Sequence, residues 1–590
     1  MPKKYYGRDL MDVKILYNVP FTMRDGITLY ADVYRPNNDI PYPAIVNRTP
    51  YLKDGDSPLV GYFHSHLLAA CGYNVVIQDV RGTGYSEGIC DPAGHQDEDG
   101  YDTIEAVAAM PWCDGHVGMI GESYHGFSQL ACARANPPHL GAICPFMTSW
   151  TKFPAIYDYG IFSPVLFGWI IGRALDRERY YPEQYTKEAV EKMKYYASRA
   201  DEQVAWLPMN EMPAGNIEGV PELKFHRDLL ENIDNEEYLQ HIGRVEGFEE
   251  TRVPTLNVTG WNDFLRDKTI YNYIQFRERG GSEACRKGSK LIVGPWIHSD
   301  RLEGVIEGVD YGPYGSGDGF GMTDKLVQWF DHWLKEEKTD FTSGAPVKLF
   351  VMGKNVWRDE YEWPLMRTKF TPFYLHSNGD ANTFLGNGVL TFDFPGCENA
   401  DHYMYDPEDP CPSSTGEPFH NMLQDQRPLQ ERSDVLVYTA PAVTEETELT
   451  GPIYVDLYVS TSTLDTDFVA RVSIVHKDGR VQRLGAKLVR GRYRNGKNAE
   501  AMIPGQIYKF HIEAANTCIV LEPGEAVRLD VTSSLFPDAD RNLNTFGRVG
   551  FEARGIVAHQ TVYHDKDHPS AVILPIIPNI SVSSAEMNRG

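Results

Sequence analysis

The sequence predicts a chain in three parts: an α/β unit with a mostly parallel sheet, a helical segment inserted into it, and an all-β sandwich after it. Three observations carry this expectation. Short apolar runs alternate with helical spacing over 1–149 and again over 251–345, the pattern of βαβ units. The stretch between them, 150–250, is too long for a loop joining two sheet strands and carries amphipathic helical patterns. From 346 to 590 period-2 runs dominate with no helical spacers, as in antiparallel sandwiches.

The elements follow in order. Asp25-Gly26 reads as a turn opening a strand over 27–34, and 44–47 and 75–78 are further strands, the last a short continuous apolar run of the fully buried kind. Residues 102–110 carry helical spacing, and 117–120 is the next buried strand. In the insertion, 187–199 and 221–233 read as charged amphipathic helices, while 157–169 is aromatic and broken by Pro164. The sheet resumes at 255–258 and 291–293, followed by a helix over 325–335. In the last part, strands over 435–439, 453–460, 468–475 and 527–531 are separated by turn clusters such as Asp478-Gly479.

Composition narrows the function. Acidic side chains outnumber basic ones 82 to 56 in 590 residues, a field that repels phosphate backbones and anionic membranes. Nine scattered cysteines with no C-x-x-C pair suit neither a disulfide scaffold nor a zinc site. The N-terminal stretch lacks the apolar core of a signal peptide. The most apolar run, 165–172, stops at Arg173, far short of the ~20 residues a membrane span needs. The expectation is a cytoplasmic protein with no nucleic-acid or membrane partner and no metal. The acidic run Asp97-Glu98-Asp99 reads as a solvated helix start, and His559, His564 and His568 as structural residues.

The chemistry lies in 117–136, VGMIGESYHGFSQLACARAN. A short strand enters Gly121-Glu122-Ser123-Tyr124-His125-Gly126 and leaves as a helix, so Ser123 sits on a sharp turn that projects its hydroxyl from the sheet. The Tyr124 amide then lies at a helix N-terminus, where it can stabilise an oxyanion. The motif departs from G-x-S-x-G because His125 stands where the second glycine is expected. A serine nucleophile needs a base and the base an orienting acid. Downstream, the strand over 255–258 ends in Gly260-Trp261-Asn262-Asp263, and that over 291–293 ends in Gly294-Pro295-Trp296-Ile297-His298. Ser123, Asp263 and His298 therefore appear as nucleophile, acid and base in the order such sheets use.

These residues resemble the cocaine esterase-like and X-Pro dipeptidyl peptidase-like (CocE/NonD) serine hydrolases, whose serine motif is G-x-S-Y-x-G. The likeness extends through Arg48-Thr49-Pro50-Tyr51, Asp79-Val80-Arg81-Gly82, Trp329-Phe330-Asp331-His332-Trp333-Leu334, Asp465-Thr466-Asp467-Phe468 and Asp540-Arg541-Asn542. It implies an α/β-hydrolase core with an inserted helical cap and a C-terminal jelly-roll sandwich. It also implies that Tyr51 supplies its hydroxyl as the second oxyanion donor beside the Tyr124 amide, that no cofactor is needed, and that the chain forms a homo-oligomer. The activity implied is hydrolysis of a small-molecule ester or amide through an acyl-enzyme; the alternatives within the family are X-Pro dipeptidyl peptidase and α-amino acid ester or β-lactam acylase.

Members that require a substrate α-amine carry clustered carboxylates, some of them two and three residues after the triad acid, where this chain has Leu265 and Arg266; that argues against strict amine recognition, which Asp158 and other acids of 150–250 keep open. Arg266 invites a further expectation, pairing with an acyl group that ends in a carboxylate, against the plainer reading of a helix-surface ion pair. Tyr157 and Phe264 match substrate-touching family positions by their distance from Ser123 and Asp263, and Trp150 is a looser match. From another class, the sandwich could belong to a non-catalytic carbohydrate- or polymer-binding protein; the Ser123, Asp263 and His298 set argues against it.

Overall fold

The computed structural model describes residues 4–5, 8–54, 64–92, 94–150, 156–157, 161–233, 235, 237–238, 247–299, 301–415, 423–496 and 498–578, with backbone alone at 4, 156–157 and 161. A ten-stranded sheet organises the first part. Its strands are β1 (Val13–Thr22), β2 (Thr28–Pro36), β3 (Tyr42–Thr49), β4 (Asn74–Asp79), β5 (Cys113–Glu122), β6 (Leu140–Phe146), β7 (Leu256–Asn262), β8 (Lys290–Ile297), β9 (Val347–Val351) and β10 (Val356–Glu360). They lie in the order 1-2-4-3-5-6-7-8-9-10. All pairings from β4 through β9 are parallel, while β1, β2 and β10 join antiparallel.

The central strands read as continuous apolar runs because both faces are covered. Along β4, Val75 and Ile77 enter one core with Ile45, Ile120 and Phe330, while Val76 enters the opposite core with Val46, Met119 and Ile143. Helix α1 (Gln96–Ala108) starts earlier than its apolar spacing suggests and takes in the acidic run. That run is not simply solvated: buried Asp99 pairs with Arg81 at 2.6 Å, and Asp97 with Arg134 at 3.2 Å.

Between β6 and β7 the chain forms the helical insertion. Helix α3 (Leu166–Glu178) buries Leu166, Phe167, Ile170, Ile171 and Ala174, one stripe at helical spacing. This stripe shares a core with Tyr124 and Phe127 of the helix that follows Ser123, α2 (Tyr124–Ala135). Helices α4 (Lys187–Ala197), capped by the Thr186 side chain, and α5 (Lys224–Glu231) complete the insertion. After β7 come α6 (Arg266–Arg279) and, beyond β8, α7 (Met322–Lys335).

The remaining strands form an eleven-stranded, almost entirely antiparallel sheet. The strands expected there are found at Leu436–Thr439, Thr447–Thr461, Asp467–Val475 and Ala526–Thr532. The change of architecture falls later than 346, since Val347–Val351 pairs in parallel with β8 and the first sheet runs to Glu360. The all-β unit grips the insertion through Asp540, whose N–H donates to the Phe162 carbonyl (2.6 Å) and whose Oδ1 accepts the Phe162 N–H (2.7 Å). All nine cysteines are free thiols. Among the described residues no helix is long and apolar enough to cross a membrane, and no group of three or more His, Cys, Asp or Glu could hold a metal ion.

Candidate active site

Ser123 occupies the turn between β5 and α2 with φ 57° and ψ −117°. Positive φ is strained for a residue with a side chain, and the surrounding structure must enforce it. Its N–H donates to the Phe146 carbonyl (2.9 Å), and its carbonyl accepts the Phe127 N–H (2.9 Å) and the Thr148 hydroxyl (2.8 Å). The flanking glycines are a steric requirement. A Cβ on Gly121 would collide with the Cβ of His125 and lie 2.7 Å from Asn47 Nδ2, and one on Gly126 would lie 2.7 Å from the Thr148 side chain. His125, standing in place of the usual glycine, turns inward: its Nε2 is paired with Thr49 Oγ1 at 2.9 Å. Burial, followed by the Arg173 charge, holds its pKa down to about 3, so it stays neutral.

Asp263 and His298 follow the C-terminal ends of β7 and β8, the edge where open α/β sheets place their sites. His298 Nδ1 lies 2.8 Å from Asp263 Oδ1. Asp263 is fully buried and fixed from three sides, accepting from Thr259 Oγ1 (2.8 Å), the Leu265 N–H (3.0 Å) and the imidazole. Burial opposes the charged form of His298, but the Asp263 carboxylate, the hydrogen bond to it and Glu122 outweigh it, so its pKa lies above the ordinary histidine value. The Phe264 ring covers the imidazole at 4.4 Å.

Tyr51 lies just past the end of β3. Its N–H donates to Thr49 Oγ1 (2.9 Å), and its Oη accepts from Trp169 Nε1 (3.3 Å). Burial raises the phenol pKa, against the pull of Trp169, Arg173 and Ser123. The Tyr124 ring stacks on Trp169 at 5.8 Å and its hydroxyl donates to the Pro92 carbonyl, while its backbone N–H belongs to the first residue of α2.

Other sequence-derived candidates sit elsewhere. Arg266 forms the expected ion pair, with Asp267 of the same helix, but from a buried position: it is 3% exposed. Its guanidinium donates to the Trp261 carbonyl (2.6 Å), the Leu484 carbonyl of the all-β unit (2.8 Å) and Asp267 (2.9 Å), which uses its donors inside the protein. Trp150 is 2% exposed and stacks on Phe248 at 4.3 Å beside Phe276, in the core behind the sheet rather than against a ligand. Leu265 is buried, and its backbone N–H, not its side chain, serves Asp263. The Tyr157 side chain lies outside the described residues. Trp169, Arg173 and Thr259 escaped the sequence reading; the one signal was Arg173 ending the most apolar run of the insertion.

A parallel sheet of this strand order, with a serine on its strained strand-to-helix turn and a paired aspartate and histidine at later strand ends, defines a serine hydrolase. Family models agree: residues 25–300 match the X-Pro dipeptidyl-peptidase (S15 family) model, and 339–573 match the X-Pro dipeptidyl-peptidase C-terminal non-catalytic domain. The chain is 36% identical to cocaine esterase of Rhodococcus sp. (strain MB1 Bresler) over 578 residues, covering 95% of this chain and 98% of that protein. Solved structures share the fold: an α-amino acid ester hydrolase (TM-score 0.78, 23% identity, 98% of this chain and 99% of the other) and a CocE/NonD family hydrolase from Staphylococcus aureus (TM-score 0.67, 18%, 97% and 95%). The chain belongs to the cocaine esterase-like, X-Pro dipeptidyl-peptidase-like (CocE/NonD) family and is a serine ester hydrolase.

Proposed function

We propose that this enzyme cleaves a small-molecule carboxylic ester, or a related amide, through an acyl-enzyme on Ser123. His298 takes the Ser123 proton as the hydroxyl attacks the carbonyl carbon. Asp263 holds the imidazole in the tautomer with its proton on Nδ1, leaving Nε2 to act as base. The Tyr124 amide and the Tyr51 hydroxyl donate to the oxyanion that forms. Collapse expels the alcohol or amine, protonated by His298, and water activated by the same imidazole releases the acid. Proton transfer requires Ser123 Oγ to come within reach of His298 Nε2, a contact of the kind that tightens when substrate binds.

The single observation that carries this reading is a strained serine at the sheet edge that also holds the 2.8 Å His298–Asp263 pair. In this reading 150–250 is a helical cap over the site, with Tyr157 and Phe264 as substrate contacts; 1–149 and 251–345 form the α/β-hydrolase core, extended by β9 and β10; and the remainder to 590 is a jelly roll. The enzyme works as a cytoplasmic homo-oligomer with a small-molecule substrate and no cofactor. The dipeptidyl-peptidase alternative draws on the family name, but at the positions after Asp263 it meets Leu265 and Arg266, which are buried and offer no carboxylate to an α-amine.

A fluorophosphonate probe tests the nucleophile: covalent labelling of the wild type that disappears in Ser123→Ala supports it, and an unlabelled wild type overturns it. Turnover of p-nitrophenyl esters and p-nitroanilides, with and without an α-amino group, then separates esterase from peptidase.

A further inference from the structure

A phenol hydroxyl rotates freely unless a neighbour occupies one of its lone pairs. At Tyr51 that neighbour comes from the insertion, since Trp169 Nε1 donates to Oη at 3.3 Å. That contact ties the Tyr51 hydroxyl to the insertion and fills one of its lone pairs. One helical turn further along α3, Arg173 lies over the Tyr51 ring at 4.7 Å and 5.7 Å from the Trp169 ring. Its Nη1 donates to the carbonyl of Pro50, directly before Tyr51, at 3.0 Å, and Asp176 holds Nη2 at 2.9 Å. The segment needs such a clamp, because Leu52, directly after Tyr51, has φ 70°, a left-handed conformation that β-carbon residues resist. On the far side Lys53 anchors the segment, its N–H donating to Asp79 Oδ1 at 2.6 Å.

We propose that Arg173 is a positioning residue that acts through Tyr51: by gripping the Pro50 carbonyl and covering the phenol ring, it makes docking of the α3 helix a condition for a formed oxyanion hole. The proposal rests on the reading of Tyr51 as an oxyanion donor. A guanidinium on the face of the ring also draws electron density from the phenol, and the Arg173 charge acts on the Tyr51 phenol in the direction that favours giving up its proton. Arg173 touches neither substrate nor the reacting atoms in this scheme. It sets the position of a group that does.

The test is a double-mutant cycle on the full-length enzyme, with p-nitrophenyl acetate as substrate: Arg173→Met and Arg173→Lys, each made in the wild type and in Tyr51→Phe. The expected result is a kcat about tenfold lower in Arg173→Met with KM nearly unchanged, a smaller loss in Arg173→Lys, and little further loss when either is added to Tyr51→Phe. Losses that multiply in full with that of Tyr51→Phe, or that fall on KM alone, overturn the proposal, because a merely structural arginine costs the same in either background. Melting curves identify the folded variants, and if Arg173→Met does not fold, Arg173→Lys is judged by the same criteria. A Tyr51→Phe enzyme with undiminished kcat overturns the oxyanion reading itself, an outcome distinct from additive losses.

Discussion

Two regions of this molecule bring a serine, a histidine and carboxylates together, and they differ in what their hydrogen bonds leave unspent. In the all-β unit the Ser377 hydroxyl donates to Asp401 Oδ2 (2.7 Å). His564 sits between that same carboxylate, 2.9 Å from Nε2, and Glu398, 3.2 Å from Nδ1, while the Tyr438 hydroxyl also donates to Asp401. Both ring nitrogens are engaged as donors to carboxylates, so the imidazole has no lone pair with which to take a serine proton. Burial alone lowers the His564 pKa, but its bonds and charge interactions with Asp401 and Glu398 raise it above the usual value. At the sheet edge His298 is tied to a carboxylate through Nδ1, and Ser123 stands on a backbone turn that no ordinary loop would hold. Residue types alone do not separate the two clusters; the strained turn under Ser123 and the single carboxylate bond of the His298 ring do.

The contrast has measurable consequences. The largest lies at the two serines: Ser123→Ala should cut kcat by roughly a millionfold, whereas Ser377→Ala should leave p-nitrophenyl ester turnover unchanged. Equal activity of Ser123→Ala and wild type would dissolve the distinction. At the two carboxylates, Asp263→Asn should lower kcat by about ten-thousandfold with little change in stability. It should also move the acid limb of kcat/KM to lower pH, since the raised His298 pKa depends on that charge. Asp401→Asn should do the opposite: the folded enzyme keeps its kcat, while chemical denaturation shows a loss of about 3 kcal/mol from a charged imidazole deprived of a partner.

A smaller effect is expected where the two units meet. Arg266→Ala should cost roughly 2 kcal/mol in denaturant titrations, because the Trp261 and Leu484 carbonyls lose their donor. The relative rates on neutral and acidic acyl esters should stay as they are; a change in that preference would return Arg266 to the substrate pocket. The smallest is a pH effect on stability. A raised folded-state pKa means that His564 stabilises most at pH below the unfolded value, and that this contribution fades as pH rises through the folded one. The melting temperature of His564→Gln should therefore fall further below wild type at about pH 5 than at about pH 9. A gap that widens toward alkaline pH would mean the imidazole is buried neutral.

Much of the site was legible because its parts are local. The glycine spacing around Ser123 is the steric demand of one turn, and the aspartate and histidine each close a short apolar strand. The misreadings share a different cause. Arg266 looked like a helix-surface residue because its partner, the Leu484 carbonyl, is 218 residues away. Trp150 looked like a pocket aromatic, but Phe248, from the far end of the insertion, and Phe276, from α6 beyond it, enclose it. Strands β9 and β10 carry period-2 patterns like those of the sandwich that follows, and only the pairing of β9 with β8, and of β10 with β9, assigns them to the first sheet.

What the chain determined unaided is whatever depends on the order and size of neighbouring residues: buried parallel strands from unbroken apolar runs, helices from their spacing, the serine turn from its glycines. Tertiary structure alone decided which polar groups spend their hydrogen bonds on one another and which keep them for a reactant. The physical reason is distance along the backbone. Tyr51 and Trp169 are 118 positions apart, and no local pattern encodes that the indole of one will take up a lone pair of the other.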